Sequence, residues 1–154
     1  TDFANHSYQY TYGTDMPGTK AQGMLSSTTN PLGRTTYFTY YPDGRAYQQF
    51  EPGNATRTFT YGDKQTKLVD IDGLTYRYFF DDASHLIKSV LPDGTSEYNK
   101  WANGFKVATW TDHGGVTKYT YDANGNLASK QRPEDSAPVQ ITYNQTFNKP
   151  TLIC

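Results

Sequence analysis

Histidines and paired carboxylates are the side chains here best suited to proton transfer or metal binding. The histidines are His6, His85 and His113. They lie far apart and lack the His-x-x-x-His spacing that sets two imidazoles on one helical face. Adjacent acids occur at Asp81-Asp82 and Glu134-Asp135. A general acid and base must both face one substrate, whereas neighbours on a strand point to opposite faces. Both pairs are therefore read as solvated turn acids. Asp70 and Asp72 before Gly73 resemble the start of a calcium loop, but Tyr78 to Phe80 interrupt the ligand pattern and no Glu closes it. Gly13 and Gly18 have the glycine spacing of a phosphate loop, but Thr19-Lys20 follows in the wrong order. Cys154 is the sole cysteine, which rules out an internal disulfide and a cysteine metal cluster. It is read as an incidental terminal residue, with a reactive thiol or intermolecular bridge as the alternative. Asn5, Asn54 and Asn144 open formal glycosylation triplets of the kind that arise by chance in a chain rich in Asn and Thr. No catalytic, cofactor-binding or metal-binding residue is assigned, and the chain is not expected to be an enzyme.

Those residues need elements to hold them, and the composition specifies strands. Hydrophobic residues make up 35% of the 154 residues, and Val, Ile and Leu together number seventeen. Aromatics reach 16%, with fourteen Tyr, eight Phe and two Trp. Tyr, Phe, Trp and Thr fit a pleated, half-buried surface, so the expected class is all-β. So few aliphatic residues cannot fill a thick core. The sequence implies either a thin sheet with one aromatic face or a segment of something larger. The net charge of −1 and the interspersed charges give nucleic acid no basic stripe to bind. No apolar run is long enough for a membrane span.

Laying the chain against itself exposes a repeat of about twenty residues. Gly33, Gly53, Gly73, Gly94, Gly115 and Asp135 recur at intervals of twenty or twenty-one residues. They close Asn30-Pro31-Leu32-Gly33, Glu51-Pro52-Gly53, Asp70-Ile71-Asp72-Gly73, Leu91-Pro92-Asp93-Gly94, Asp112-His113-Gly114-Gly115 and Arg132-Pro133-Glu134-Asp135. Pro fixes φ and Gly accepts a left-handed backbone, so each phrase is a turn. Between them lie aromatics spaced i, i+2: Tyr10 and Tyr12, Phe38 and Tyr40, Phe59 and Tyr61, Tyr78 and Phe80, Tyr119 and Tyr121. Tyr98 and Tyr143 mark weaker copies, and Gly44, Gly104 and Gly125 sit in the turns that follow. The i, i+2 spacing puts both rings on one strand face. Asn-Gly and Asp-Gly predict type I′ hairpins. The expectation is tandem antiparallel hairpins forming a continuous, curved or spiralling sheet of about twelve short strands. Repeated burial of one face accounts for the recurring aromatics.

Tyr119-Thr120-Tyr121-Asp122-Ala123-Asn124-Gly125-Asn126-Leu127 fits Tyr-x-Tyr-Asp-x-x-Gly-x-Leu at every position. Together with Asn30 to Thr36 and Phe147 to Thr151, it resembles the YD repeats of RHS proteins. Those repeats are similar to parts of the teneurins and of the Tc toxin shell. The resemblance runs from about Tyr10 to Ile153. Tyr41, Gly62 and Asn144 replace the Asp of the motif, and Lys100 takes the second aromatic position. It implies one repeat domain over residues 1–154, with about six units forming a segment of a larger shell. In bacterial members such a shell encloses a toxic domain, and in teneurins it serves adhesion. It also implies a secreted or cell-surface location. Some members cleave themselves at paired Asp-Pro-x-Gly phrases. Asn30-Pro31-Leu32-Gly33 and Glu51-Pro52-Gly53-Asn54 lack the Asp, so that activity is not carried over.

The leading reading is a non-catalytic structural segment. Its partners are neighbouring repeats, copies of itself paired through edge strands, and an enclosed cargo domain. The alternative is an adhesion or carbohydrate-binding module, with Trp101 and Trp110 as the ligand-binding aromatics. A hydrolase hidden in the scaffold would need converging acids, for which the sequence offers no anchor.

Overall fold

A computed structural model describes residues 7–13, 18–144 and 146–153. His6, Asn5 and Cys154 lie outside the described residues, as does Gln145 of the third glycosylation triplet. The chain divides into two compact units, Thr1–Tyr76 and Arg77–Cys154. Among the described residues all regular structure is β-strand. The fourteen strands exceed the twelve expected, because the first and last units each supply a full pair.

The first unit holds β1 (Gln9–Tyr12), β2 (Leu25–Thr29), β3 (Thr35–Tyr40), β4 (Ala46–Glu51), β5 (Ala55–Gly62) and β6 (Gln65–Val69). They lie side by side in chain order, each antiparallel to the next. The second unit holds β7 (Thr75–Phe80, from Arg77 onward), β8 (Leu86–Val90), β9 (Ser96–Ala102), β10 (Phe105–Thr111), β11 (Thr117–Tyr121), β12 (Leu127–Gln131), β13 (Val139–Tyr143) and β14 (Pro150–Ile153). It follows the same rule. Turn phrases follow closely on one another, so only neighbours in sequence can pair.

Each unit is thin. Among the described residues no large side chain is fully buried; Ala21 and Ala108 are the buried apolar residues, and Ser27, Ser89, Ser96 and Ser129 the buried polar ones. Aromatics cover the sheet while keeping one edge in water. In the first unit the ladder places Tyr10, Phe38, Tyr40, Phe59 and Tyr61 on one face. The opposite face carries hydroxyl pairs, Thr11 with Ser27 at 2.7 Å and Thr29 with Thr35 at 2.8 Å. Such cross-strand pairs are a main source of sheet stability.

Candidate functional site

The repeating chemistry sits where each hairpin turns and its second strand begins. In hairpins β1–β2, β3–β4, β7–β8, β9–β10, β11–β12 and β13–β14 the register slips by one residue just after the turn. The extra residues are Ser26, Tyr47, Ile87, Val107, Ala128 and Thr151. Hairpin β5–β6 pairs without a slip. A bulge of this kind leaves part of the ladder unpaired, and backbone groups shielded from water need partners.

Aromatic residues on the next strand supply those partners. The Tyr40 hydroxyl donates to the Leu25 carbonyl at 2.8 Å, Tyr121 to Lys106 at 2.8 Å and Tyr143 to Leu127 at 3.1 Å. The Trp101 indole N–H donates to the Leu86 carbonyl at 2.9 Å, joined by the Asn99 amide at 3.2 Å. Each acceptor immediately precedes a bulged residue. Tyr40, Trp101, Tyr121 and Tyr143 therefore latch their strands to the corner of the preceding hairpin. Burial raises the phenol pKa of Tyr40 and Tyr121, which keeps the donor proton in place.

A planar group from the preceding hairpin packs on two of these rings, Trp101 and Tyr121, and on Tyr61. The Arg45 guanidinium lies 4.5 Å from the Tyr61 ring centre. His85 stacks on Trp101 at 4.6 Å, and Phe105 on Tyr121 at 4.7 Å. Each partner lies sixteen residues before its ring. In the divergent unit around Tyr41, that phenol donates to the Phe59 carbonyl at 3.1 Å and packs against Tyr47.

The turns have a carboxylate or amide at their centre. Asp122 accepts from the Asn124 and Asn126 backbone N–H groups and from the Asn126 side chain, all within 3.0 Å. The Asp122 N–H donates to the Asn126 carbonyl, and the Gly125 N–H to the Asp122 carbonyl. Asp81 does the same for Ala83 and His85, and Asn30 for Leu32 and Arg34. The Asp of the motif is thus a turn organiser. In the Asp43-Gly44 and Asp93-Gly94 turns only the glycine has positive φ. That matches a turn ending in a left-handed residue rather than the expected type I′. Asn103-Gly104 has positive φ at both residues and closes a two-residue loop, as type I′ requires.

Gly33, Gly44, Gly53, Gly73, Gly94, Gly104 and Gly125 all take the left-handed conformation, and Gly115 does not. Gly115 is set by space, since a Cβ there would run into the Pro133 ring. Tyr78, Phe80, Trp101, Tyr119, Tyr121 and Tyr143 share one face of the second unit. Tyr98 does not belong to that row. Its cross-strand partner is Trp110, on the opposite face, with the rings stacked at 5.4 Å. Trp101 and Trp110 therefore point to opposite sides of the sheet. The reason is the period of two, by which a one-residue slip moves a whole strand's side chains to the other face. The carbonyl acceptors Leu25, Leu86, Lys106 and Leu127 carry no sequence signal of their own. The Leu closing the nine-residue motif is the nearest marker.

Every aspartate with a resolved shift has its pKa lowered. The side-chain amide and backbone N–H of Asn126 lower Asp122, and the His85 backbone N–H lowers Asp81. The Ser96 backbone N–H and the Tyr98 hydroxyl lower Asp112, and the Ile71 N–H and Arg57 lower Asp70. Carboxylates held ionised by donors suit turns; a general acid needs the reverse shift. On the aromatic face of the first unit Arg57 bridges Asp70 at 2.9 Å and Glu51 at 3.3 Å, and Thr36 donates to Glu51 at 3.0 Å. Asp70 is thereby occupied. Among the described residues no three His, Cys, Asp or Glu gather as a metal site.

Residues 101–137 match the RHS Repeat family. No curated protein matches the chain. The fold is similar to that in the crystal structure of TcdB2-TccC3-Cdc42, with a TM-score of 0.57 at 12% identity over 96% of this chain. The chain spans 10% of that protein's length. A second similarity, to the Tc holotoxin pore of Photorhabdus luminescens, has a TM-score of 0.42 at 13% identity, over 79% of this chain and 6% of that one.

Proposed function

We propose that the chain, which matches the RHS Repeat family over residues 101–137, is a wall segment of a larger β-shell enclosing a cargo domain. The observation that carries this reading is the latch. A ring on each of β3, β9, β11 and β13 hydrogen-bonds to the corner of the preceding hairpin. A hairpin locked in this way to the one before it passes stability from repeat to repeat. Asp81 and Asp122 support the same role, since each organises a turn. The proposed location, secreted or at the cell surface, rests on the similarity of fold to the TcdB2-TccC3-Cdc42 structure.

Two measurements test the proposal. Sedimentation velocity over a wide concentration range should show association through the edges at β1 and β14, because unpaired strand edges template further pairing. A concentration-independent monomer would argue against a wall. Sequencing the reading frame should reveal many further units flanking this chain and a non-repeat domain within their span. A frame with neither removes the enclosure.

A further inference from the structure

We infer that the face of the second unit opposite the Tyr119/Tyr121 row binds an acidic, extended polypeptide segment. The ladder sets Arg77, Lys88, Lys100 and Lys118 on that face, through Arg77 opposite Val90, Lys88 opposite Tyr98, and Lys100 and Lys118 both opposite Ala108. None of the four has an ion pair among the described residues. Glu97, the carboxylate within these strands, alternates to the other face. Asp112 stands at the rim, occupied by the Ser96 N–H at 2.7 Å and the Tyr98 hydroxyl at 2.9 Å. The chain as a whole has a net charge of −1, so this strip is a local segregation of positive charge. Such a strip attracts and orients an anionic partner.

The shape narrows the class of ligand. Ala108 is buried and small, and it floors an open hollow of about 400 Å3 between Lys100 and Lys118, with Trp110 and Val116 beside it. Sugars and nucleic-acid bases bind such surfaces by stacking on free ring faces. Here Trp110 covers one face of Tyr98, and the Lys88 ammonium lies 5.1 Å from the Tyr98 ring centre, approaching from the strand on the other side. Both faces of Tyr98 are thus taken, and the cations around it suit carboxylates. Lys100 and Lys118 stand two strand spacings apart, about 9.6 Å. A polyproline-II segment returns to the same side every three residues, about 9.3 Å. The matching ligand has a carboxylate at every third residue.

The test uses the full chain and a fluorescein-labelled peptide with glutamate at every third position and proline between. Anisotropy at low salt should show binding that weakens as salt rises. The double variant Lys100→Glu/Lys118→Glu should weaken it at least tenfold. Both side chains are exposed, and an unchanged urea midpoint would show that the fold is intact. Lys130→Glu, on the opposite face, should leave affinity within twofold. The inference is overturned if the peptide does not bind or if the double variant binds as the parent does. It is equally overturned if a heparin fragment or a single-stranded oligonucleotide of equal charge binds more tightly. None of these outcomes depends on whether the chain encloses a cargo.

Discussion

Hairpins β9–β10 and β11–β12 lie next to each other and close differently. The β11–β12 hairpin turns through Asp122 to Asn126, with the carboxylate holding three donors and Gly125 left-handed. The β9–β10 hairpin turns through Asn103-Gly104 alone and has no carboxylate in the turn. Both nevertheless place a bulge after the turn, and both present a ring that latches to the preceding corner, Tyr121 in one and Trp101 in the other. The turn can therefore be exchanged, whereas the bulge and latch persist. What defines the unit physically is the freed carbonyl and its donor, and the YD sequence is one way of arriving there.

The largest way to break this equivalence is Trp101→Ala. It removes the indole donor and the His85 stack together, and should lower stability by about 3 kcal/mol in urea denaturation, near the low end for large aromatic truncations. Gly125→Ala should cost about 2 kcal/mol, because a left-handed alanine is strained and its Cβ would meet the Phe105 ring at 3.2 Å. Gly104→Ala, with open space around it, should cost about half as much. Equal losses at the two glycines would remove the role given to the ring. Tyr121→Phe keeps the stack on Phe105 and deletes the hydroxyl alone, at about 1 kcal/mol. A double-mutant cycle with Phe105→Ala separates the two contributions.

The smallest effect concerns pH. The native pKa of Asp122 is lowered, so its contribution is complete above the unfolded aspartate pKa and is lost as pH falls through the native value. Hydrogen-exchange protection at Asn126 should therefore fall in acid, while Phe105, after the carboxylate-free turn, keeps its protection. Parallel loss at both would show that the turn acid is not the cause.

Much of this was legible from spacing. The glycine phrases locate the turns, and Tyr119 to Leu127 displays the whole unit, because turn chemistry and strand alternation are local. The face of β9 was not legible. Tyr98 lies about one repeat before Tyr119, and Trp101 lies twenty residues before Tyr121. Spacing alone fits either register, and only the ladder through Asn99, Thr109 and Thr117 decides it. The bulges were hidden for a related reason. An extra residue on one strand leaves no mark in composition, and it is visible only against the partner. The planar groups at Arg45, His85 and Phe105 differ in chemistry and share only flatness, which no residue-type pattern detects.

Among the described residues the buried side chains are serines and alanines: Ser27, Ser89, Ser96, Ser129, Ala21 and Ala108. Unfolding such a structure brings little new hydrocarbon into contact with water, so its heat-capacity increment should fall below the usual ~12–15 cal/mol/K per residue. The free-energy dome then flattens, and the fold keeps a nearly even margin from the cold to the warm end of its range.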